Sequence, residues 1–183
     1  MRETYRKLFH MTFGAIISLG VYFLGRTEGL IALGAMLTVG LLIIHWKITG
    51  YEDRIIDFFL DKMERHVSIP GIGALMFIIG AILALSFSKS ETTAVAILLI
   101  FSFGDGASTL VGRLGHIRIP YNRKKTLEGT IAFILAAMIG SFPLIGIMSI
   151  PYSIALSIVE SLPIPIDDNL SIPSVGALLS HFI

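Results

Sequence analysis

An aspartate, Asp105, stands near the end of an otherwise apolar run, AVAILLIFSFGDGASTLVG. Placing an acid at bilayer depth costs on the order of 2.5–3.5 kcal/mol, so a metal ion, a cation or water must offset it. Gly104 and Gly106 flank it, and residues without a Cβ let the backbone come close to a ligand. The plain alternative is an aspartate that pairs with Arg113 and anchors the end of its helix. Shortly after it comes GRLGHIRIPYNRKKTLEG, which holds Arg113, Arg118, Arg123, Lys124 and Lys125 among glycines at 112, 115 and 129. Phosphate groups need such a lining: point charges from Lys, forked donors from Arg, and free backbone N–H groups. A cytoplasmic loop that touches anionic lipid heads would have the same composition. Its closeness to Asp105 favours a joint Mg²⁺–nucleotide site.

Further acids follow. Glu128 opens the next apolar stretch, where its charge suits a helix N-terminus. Glu160 and the pair Asp167-Asp168 form a third polar cluster beside Asn169. Adjacent carboxylates suit Mg²⁺, a hard cation that prefers oxygen ligands; a solvated loop explains them equally well. His10 lies one helical turn beyond Arg6 and Lys7, and a lone histidine in a helix is commonly structural. His45, His66, His116 and His181 show no metal-ligand spacing. Without cysteine there is no disulfide, thiolate zinc site or cysteine nucleophile. A GxxxxGK[ST] phosphate loop, HExxH and G-x-S-x-G are all missing.

The elements that position these residues are membrane helices. Of 183 residues, 54% are hydrophobic and 15% charged, against about 25% charged in soluble domains. Mean hydropathy is +0.82. The apolar residues come in blocks of membrane length, so a single all-α membrane domain over residues 1–183 is expected, with no nucleic-acid partner at a net charge of +1. The first apolar run, about Leu8 to Gly25, lacks an A-x-A-like cleavage site and reads as a retained helix. A turn, Arg26 to Gly29, leads to a second helix, about Leu30 to Trp46. The stretch from Lys47 to Pro70 places Ile55, Ile56, Phe59, Leu60 and Met63 at helical spacing among charges, which describes an amphipathic surface helix broken at Pro70-Gly71. A third membrane helix spans about Ile72 to Phe87 and a fourth about Thr92 to Leu110, followed by a basic loop from Gly112 to Leu127. The segment from Glu128 to Glu160 is tight for two helices of ~20 residues. Pro143, Gly146 and Pro151 argue for two short or tilted helices meeting near Gly146 to Pro151. A last short apolar stretch begins at Leu170. The total is about seven membrane helices plus the amphipathic one.

With the N-terminus in the cytoplasm, twelve Lys and Arg fall inside as far as the basic loop, and only Arg26 and Lys89 fall outside. That is a strong positive-inside signal. It puts the N-terminus and the polar cluster on the cytoplasmic side of a multi-pass protein. Asn169-Leu170-Ser171 is a formal glycosylation sequon that would matter only in an outward loop.

The assembled residues resemble the family of dolichol kinases, phytol kinases and CTP-dependent diacylglycerol kinases, the polyprenol kinase family. The resemblance rests on Arg6-Lys7-x-x-His10, on Gly104-Asp105-Gly106-Ala107 with Gly112-Arg113 and Gly115, and on Lys124-Lys125-Thr126-Leu127-Glu128-Gly129-Thr130. It continues through Glu160 to Asp167-Asp168-Asn169 and Pro173, and so covers almost the whole chain. The core is also similar to that of phosphatidate cytidylyltransferases, but their His-Gly-Gly-x-x-Asp-Arg element is absent, since no histidine stands between His116 and His181. The resemblance implies transfer of the γ-phosphoryl of CTP to the hydroxyl of a membrane lipid: a polyprenol or dolichol, a shorter isoprenoid alcohol, or diacylglycerol. It implies a divalent cation, Mg²⁺, on Asp105, Asp167, Asp168 and Glu160. It implies CTP held by Gly104, Gly106, Gly112, Arg113, Gly115, Thr126 and Gly129, with Arg6, Lys7 and His10. Asp105, Lys124, Lys125 and Glu128 are the expected catalytic groups, Glu128 or an aspartate positioning or deprotonating the alcohol. Two other functions fit part of the pattern: a CTP:lipid-phosphate cytidylyltransferase, and a small transporter using Asp105 and Glu160 as an ion path.

Overall fold

The computed structural model describes residues 2–63, 69 and 71–183. Its elements are helices, with one short hairpin. The first two, α1 (Arg2–Leu24) and α2 (Arg26–Ile48), meet at a single residue, Gly25, at φ 99°. The expected turn from Arg26 to Gly29 is instead the first turn of α2. One glycine in the left-handed region suffices to reverse the chain, and Glu28 then sits in the first turn, where the helix dipole favours an acid. α3 (Arg54–Met63) is the amphipathic helix. The Asp53 carboxylate accepts the N–H groups of Ile55 and Ile56 at 2.9 and 3.0 Å and starts it. An ion pair of Lys47 with Asp57 ties it to the end of α2. The expected break at Pro70, and the side chains of Phe59, Lys62, Met63 and Arg65, lie outside the described residues.

α4 (Ile72–Phe87) has the expected bounds, and α5 (Glu91–Gly112) begins at a Ser90 cap whose hydroxyl accepts the Thr93 N–H at 3.1 Å. α5 is the axis of the molecule. Ala94, Ala96, Ile97, Ile100 and Phe101 are fully buried on it, and α1, α4, α6, α7 and α8 pack around it. The basic loop is more ordered than expected. β1 (Arg118–Ile119) and β2 (Asn122–Thr126) form an antiparallel hairpin, Arg118 opposite Thr126 and Ile119 opposite Asn122, with an irregular register between. Thr126 ends β2 and caps α6 (Leu127–Ile145), its Oγ1 accepting the Gly129 N–H. A 3-10 turn at Gly146–Met148 separates α6 from α7 (Ser149–Ser161), so two helices meet near Gly146 as expected, α6 of 19 residues and α7 of 13. α8 (Asp168–Leu179) is capped by the Asp167 carboxylate, which accepts the Asn169 N–H at 2.9 Å.

Four segments among the described residues are long and apolar enough to cross a membrane: Glu3–Leu24, Arg26–Ile48, Glu91–Gly112, and Leu127–Ser161, which comprises α6 and α7. α4 is a shorter apolar helix. The result is an all-α membrane bundle, as expected; of the seven or so membrane helices expected, four segments among the described residues have the length and composition of a span, α6 and α7 together making one of them. The two ends of the bundle differ. At one, the Arg26 N–H donates to Glu91, its guanidinium to the Ser88 carbonyl, and the Lys89 N–H to Ser180 Oγ, which ties the α1–α2 and α4–α5 turns to the end of α8. At the other gather the start of α1, the last turns of α5 and α7, the start of α8, and the hairpin.

Candidate active site

Two turns before α5 ends, Asp105 faces inward, almost fully buried. Ser108 follows one turn later on the same face, at the i,i+3 spacing that stacks side chains. α7 brings Glu160 and α8 brings Asp168. Carboxylate oxygens of Asp105, Glu160 and Asp168 lie within 4.8 Å of one another. Three acids this close need cations. Lys7 of α1 is ion-paired with Asp105, and both are buried. Lys125 of β2 bridges Glu160 and Asp168, at 3.0 Å from the latter. Ser108 Oγ lies 2.9 Å from Glu160 Oε1 and 3.1 Å from the Asp105 carbonyl oxygen, which fixes the Glu160 rotamer. Burial disfavours the Lys125 ammonium, but Glu160 and Asp168 outweigh it and hold its pKa above the usual lysine value. It stays charged at neutral pH.

His10 is 8% exposed, and its Nε2 lies 3.6 Å from Asp105 Oδ2, too far for a hydrogen bond. No other atom of the described residues partners that nitrogen. The ring is held edge-on by Phe77 and Phe101, with centroids 4.9 and 5.0 Å away. An unmet buried polar atom costs about 1–3 kcal/mol.

Two cavities meet at the acids. The first, about 420 Å³, is walled by Phe9, Phe13, Ile72, Phe77 and Ile78, with Lys7, His10, Asp105 and Asp168 at its polar end. The second, about 480 Å³, is lined by Arg113, Arg118, Lys124, Lys125 and Thr126, again with Asp105 and Asp168 and also Glu160. Asp105 and Asp168 line both.

The structure therefore brings together Lys7, His10, Asp105, Lys125, Glu160 and Asp168, with Arg113, Lys124, Thr126, Gly112 and Gly129 around the second cavity. Gly112 and Gly129 allow a close crossing: a Cβ on Gly129 would stand 2.8 Å from the Ser108 carbonyl oxygen and 3.0 Å from Gly112 Cα. This contact seats the start of α6 against the end of α5. Other expectations need correction. Asp105 pairs with Lys7, not with Arg113, because α1 packs along α5 while Arg113 lies two turns further on. Glu128 lines neither cavity. Its carboxylate accepts the N–H groups of His116 and Ile117 at 2.7 and 3.1 Å, which clasps the loop before the hairpin. Gly104 lies under the Phe133 ring and Gly106 against Met11, so these glycines admit neighbouring helices rather than a ligand. Gly115 packs on Thr126 and Glu128. Asp167 lines the first cavity but spends an oxygen on its cap, outside the three-acid cluster. Arg6 lines the first cavity and is paired with Glu3. Sequence reasoning missed Ser108, whose signal was its spacing from Asp105; Arg118, one of the five loop cations, reaches the second cavity through the hairpin.

The carboxylate set fits a hard divalent cation such as Mg²⁺: three oxygen donors within coordinating reach, and no nitrogen or sulfur ligand among the clustered groups.

Comparison with known proteins gives relatives by sequence alone. No family profile matches the chain, and no solved structure does. A Methanocaldococcus jannaschii protein described as uncharacterized is 30% identical over 186 residues, 100% of this chain and 95% of that protein. The chloroplastic farnesol kinase of Arabidopsis thaliana is 31% identical over 203 residues, 97% of this chain and 64% of that protein. A rice protein (Oryza sativa subsp. japonica) named "probable phytol kinase 2, chloroplastic" is 28% identical over 199 residues, 97% of this chain and 65% of that protein. This chain thus spans a little under two thirds of the length of these plant proteins.

Proposed function

This chain belongs to the polyprenol kinase family, and we propose that it transfers the γ-phosphoryl group of CTP to the hydroxyl of a membrane isoprenoid alcohol. The observation that carries this reading is the shared wall of the two cavities, Asp105 and Asp168. A lipid alcohol and a nucleoside triphosphate are opposite in chemistry, yet they must meet at one bond. The aromatic and aliphatic cavity suits the tail of farnesol, phytol or a polyprenol such as dolichol. The cationic cavity suits three phosphates. CTP as the donor follows from the family resemblance; the cations themselves would serve any nucleoside triphosphate.

In the reaction the alcohol oxygen bonds to the γ-phosphorus as the bond from that phosphorus to the β–γ bridging oxygen breaks. A lipid phosphate and a nucleoside diphosphate result, and the hydroxyl proton passes to solvent. Mg²⁺ held by Asp105, Glu160 and Asp168 would neutralise phosphate charge. Arg113, Arg118 and Lys124 balance the triphosphate from the hairpin side. Lys125, at the seam, is placed to follow the transferred group. Lys7 holds Asp105 in one orientation. Catalysis of this type is mostly alignment plus charge stabilisation, which this set of fixed charges supplies. The excess of Lys and Arg at this end supports a cytoplasmic site and N-terminus.

The test uses purified protein in detergent with Mg²⁺, isoprenoid alcohols, diacylglycerol and lipid phosphates, and CTP or ATP labelled at the γ or the α phosphorus. γ-label on an isoprenoid alcohol, faster from CTP, is expected. α-label on a lipid phosphate would make the chain a cytidylyltransferase and overturn the reading. γ-label on diacylglycerol alone would overturn the isoprenoid assignment.

A further inference from the structure

We propose that His10 holds the hydroxyl of the acceptor alcohol, with Nε2 as its hydrogen-bond partner; this rests on the reading of the chain as an isoprenoid-alcohol kinase. Among the described residues, the buried side-chain polar atoms without a partner are His10 Nε2 and the hydroxyls of Ser88, Ser102, Ser149 and Ser153. None of those serines lines either cavity, whereas His10 lines the apolar one and not the cationic one. The unmet nitrogen therefore belongs to the acceptor side of the acid wall.

Its position is fixed. Phe77 and Phe101 flank the imidazole edge-on at 86° and 88°, so a turn of the ring would have to displace these contacts. Nε2 is left 3.6 Å from Asp105 Oδ2. Two groups at that separation do not bond each other, but a single oxygen to one side of the gap comes within about 2.8 Å of both. A primary alcohol on an apolar tail has the right shape for this place: one small polar atom at the acids, and hydrocarbon back along Phe9, Phe13 and Ile78. Held there, the oxygen sits at the wall beyond which the phosphates lie. The contact is one that Glu128 cannot make, since it is engaged by the His116 and Ile117 N–H groups.

The experiment compares wild type, His10→Leu and His10→Gln in γ-label transfer, varying alcohol and nucleotide separately, with thermal unfolding of each protein alongside. Loss of the hydrogen bond should raise the alcohol KM roughly tenfold, with the nucleotide KM unchanged. The Gln amide reaches where Nε2 sits and should recover most of the loss. Where the leucine variant does not fold, His10→Asn, polar but shorter, takes its place and should resemble it. An unchanged alcohol KM in His10→Leu overturns the assignment and leaves the kinase reading intact. So does an equal rise in both KM values that Gln does not relieve, which marks a merely structural histidine. No transfer by the wild type overturns both together.

Discussion

The two cavities are alike in size, about 420 and 480 Å³, and opposite in character. The apolar one is made by α1 and α4, helices whose own side chains wall it within the bundle. The cationic one is made by the hairpin and the α5–α6 junction, and its cations, Arg113, Arg118, Lys124 and Lys125, stand outside the membrane-spanning segments. They share Asp105 and Asp168. A cavity can therefore be built twice, by different means, around one seam of charge that both share.

Asp105→Asn strikes that seam and should have the largest effect. Turnover should fall at least about 100-fold, and Mn²⁺ binding, read by electron paramagnetic resonance, should weaken as well. Retained metal binding would separate the shared wall from the metal site. Lys125→Met acts on the cationic side and should lower kcat/KM for nucleotide by about 100-fold, with the alcohol KM unchanged. A matching rise in the alcohol KM would show that the two sides are not independent. On the other side, Phe13→Ala removes a half-buried ring stacked on Phe9 at 5.6 Å and facing Phe77 at 5.7 Å. It should raise the alcohol KM roughly fivefold through lost apolar contact, and steady-state kinetics should show the nucleotide KM untouched. Arg26→Ala, at the opposite end of the bundle, is the control. It should change either KM less than about twofold and cost about 1 kcal/mol or less in stability, checked by thermal unfolding.

The sequence made the scaffold legible because membrane helices announce themselves by length. α4 runs from Ile72 to Phe87, where an apolar block stands between Gly71 and Ser88. The break between α6 and α7 falls at Gly146, with prolines on either side. Asp105 stood out because an acid in an apolar run has a cost to offset. The hairpin was not legible: Asn122 to Thr126 is nearly all polar and shows no alternation of apolar residues. It forms because its turn is anchored on α7, with Tyr121 OH 2.8 Å from Ser161 Oγ and the Asn122 amide donating to the Ser161 carbonyl. What Glu128 and the glycines beside Asp105 meet was not legible for a related reason. Their residue types suit a ligand or a close packing contact equally, and only the neighbour that arrives decides.

The sequence by itself determined that this chain crosses a membrane, that its cations gather at one end, and which acids cannot be left without a partner. Hydropathy and charge act locally, residue by residue, and can be read along the chain. The tertiary structure decided which of those charges meet. Lys7 reaches Asp105 because α1 packs along α5. Glu160 and Asp168 arrive there on α7 and α8, and Lys125 comes in on a strand. That pairing depends on helix packing across distant segments, where shape and the cost of unpaired buried charge together select a single arrangement.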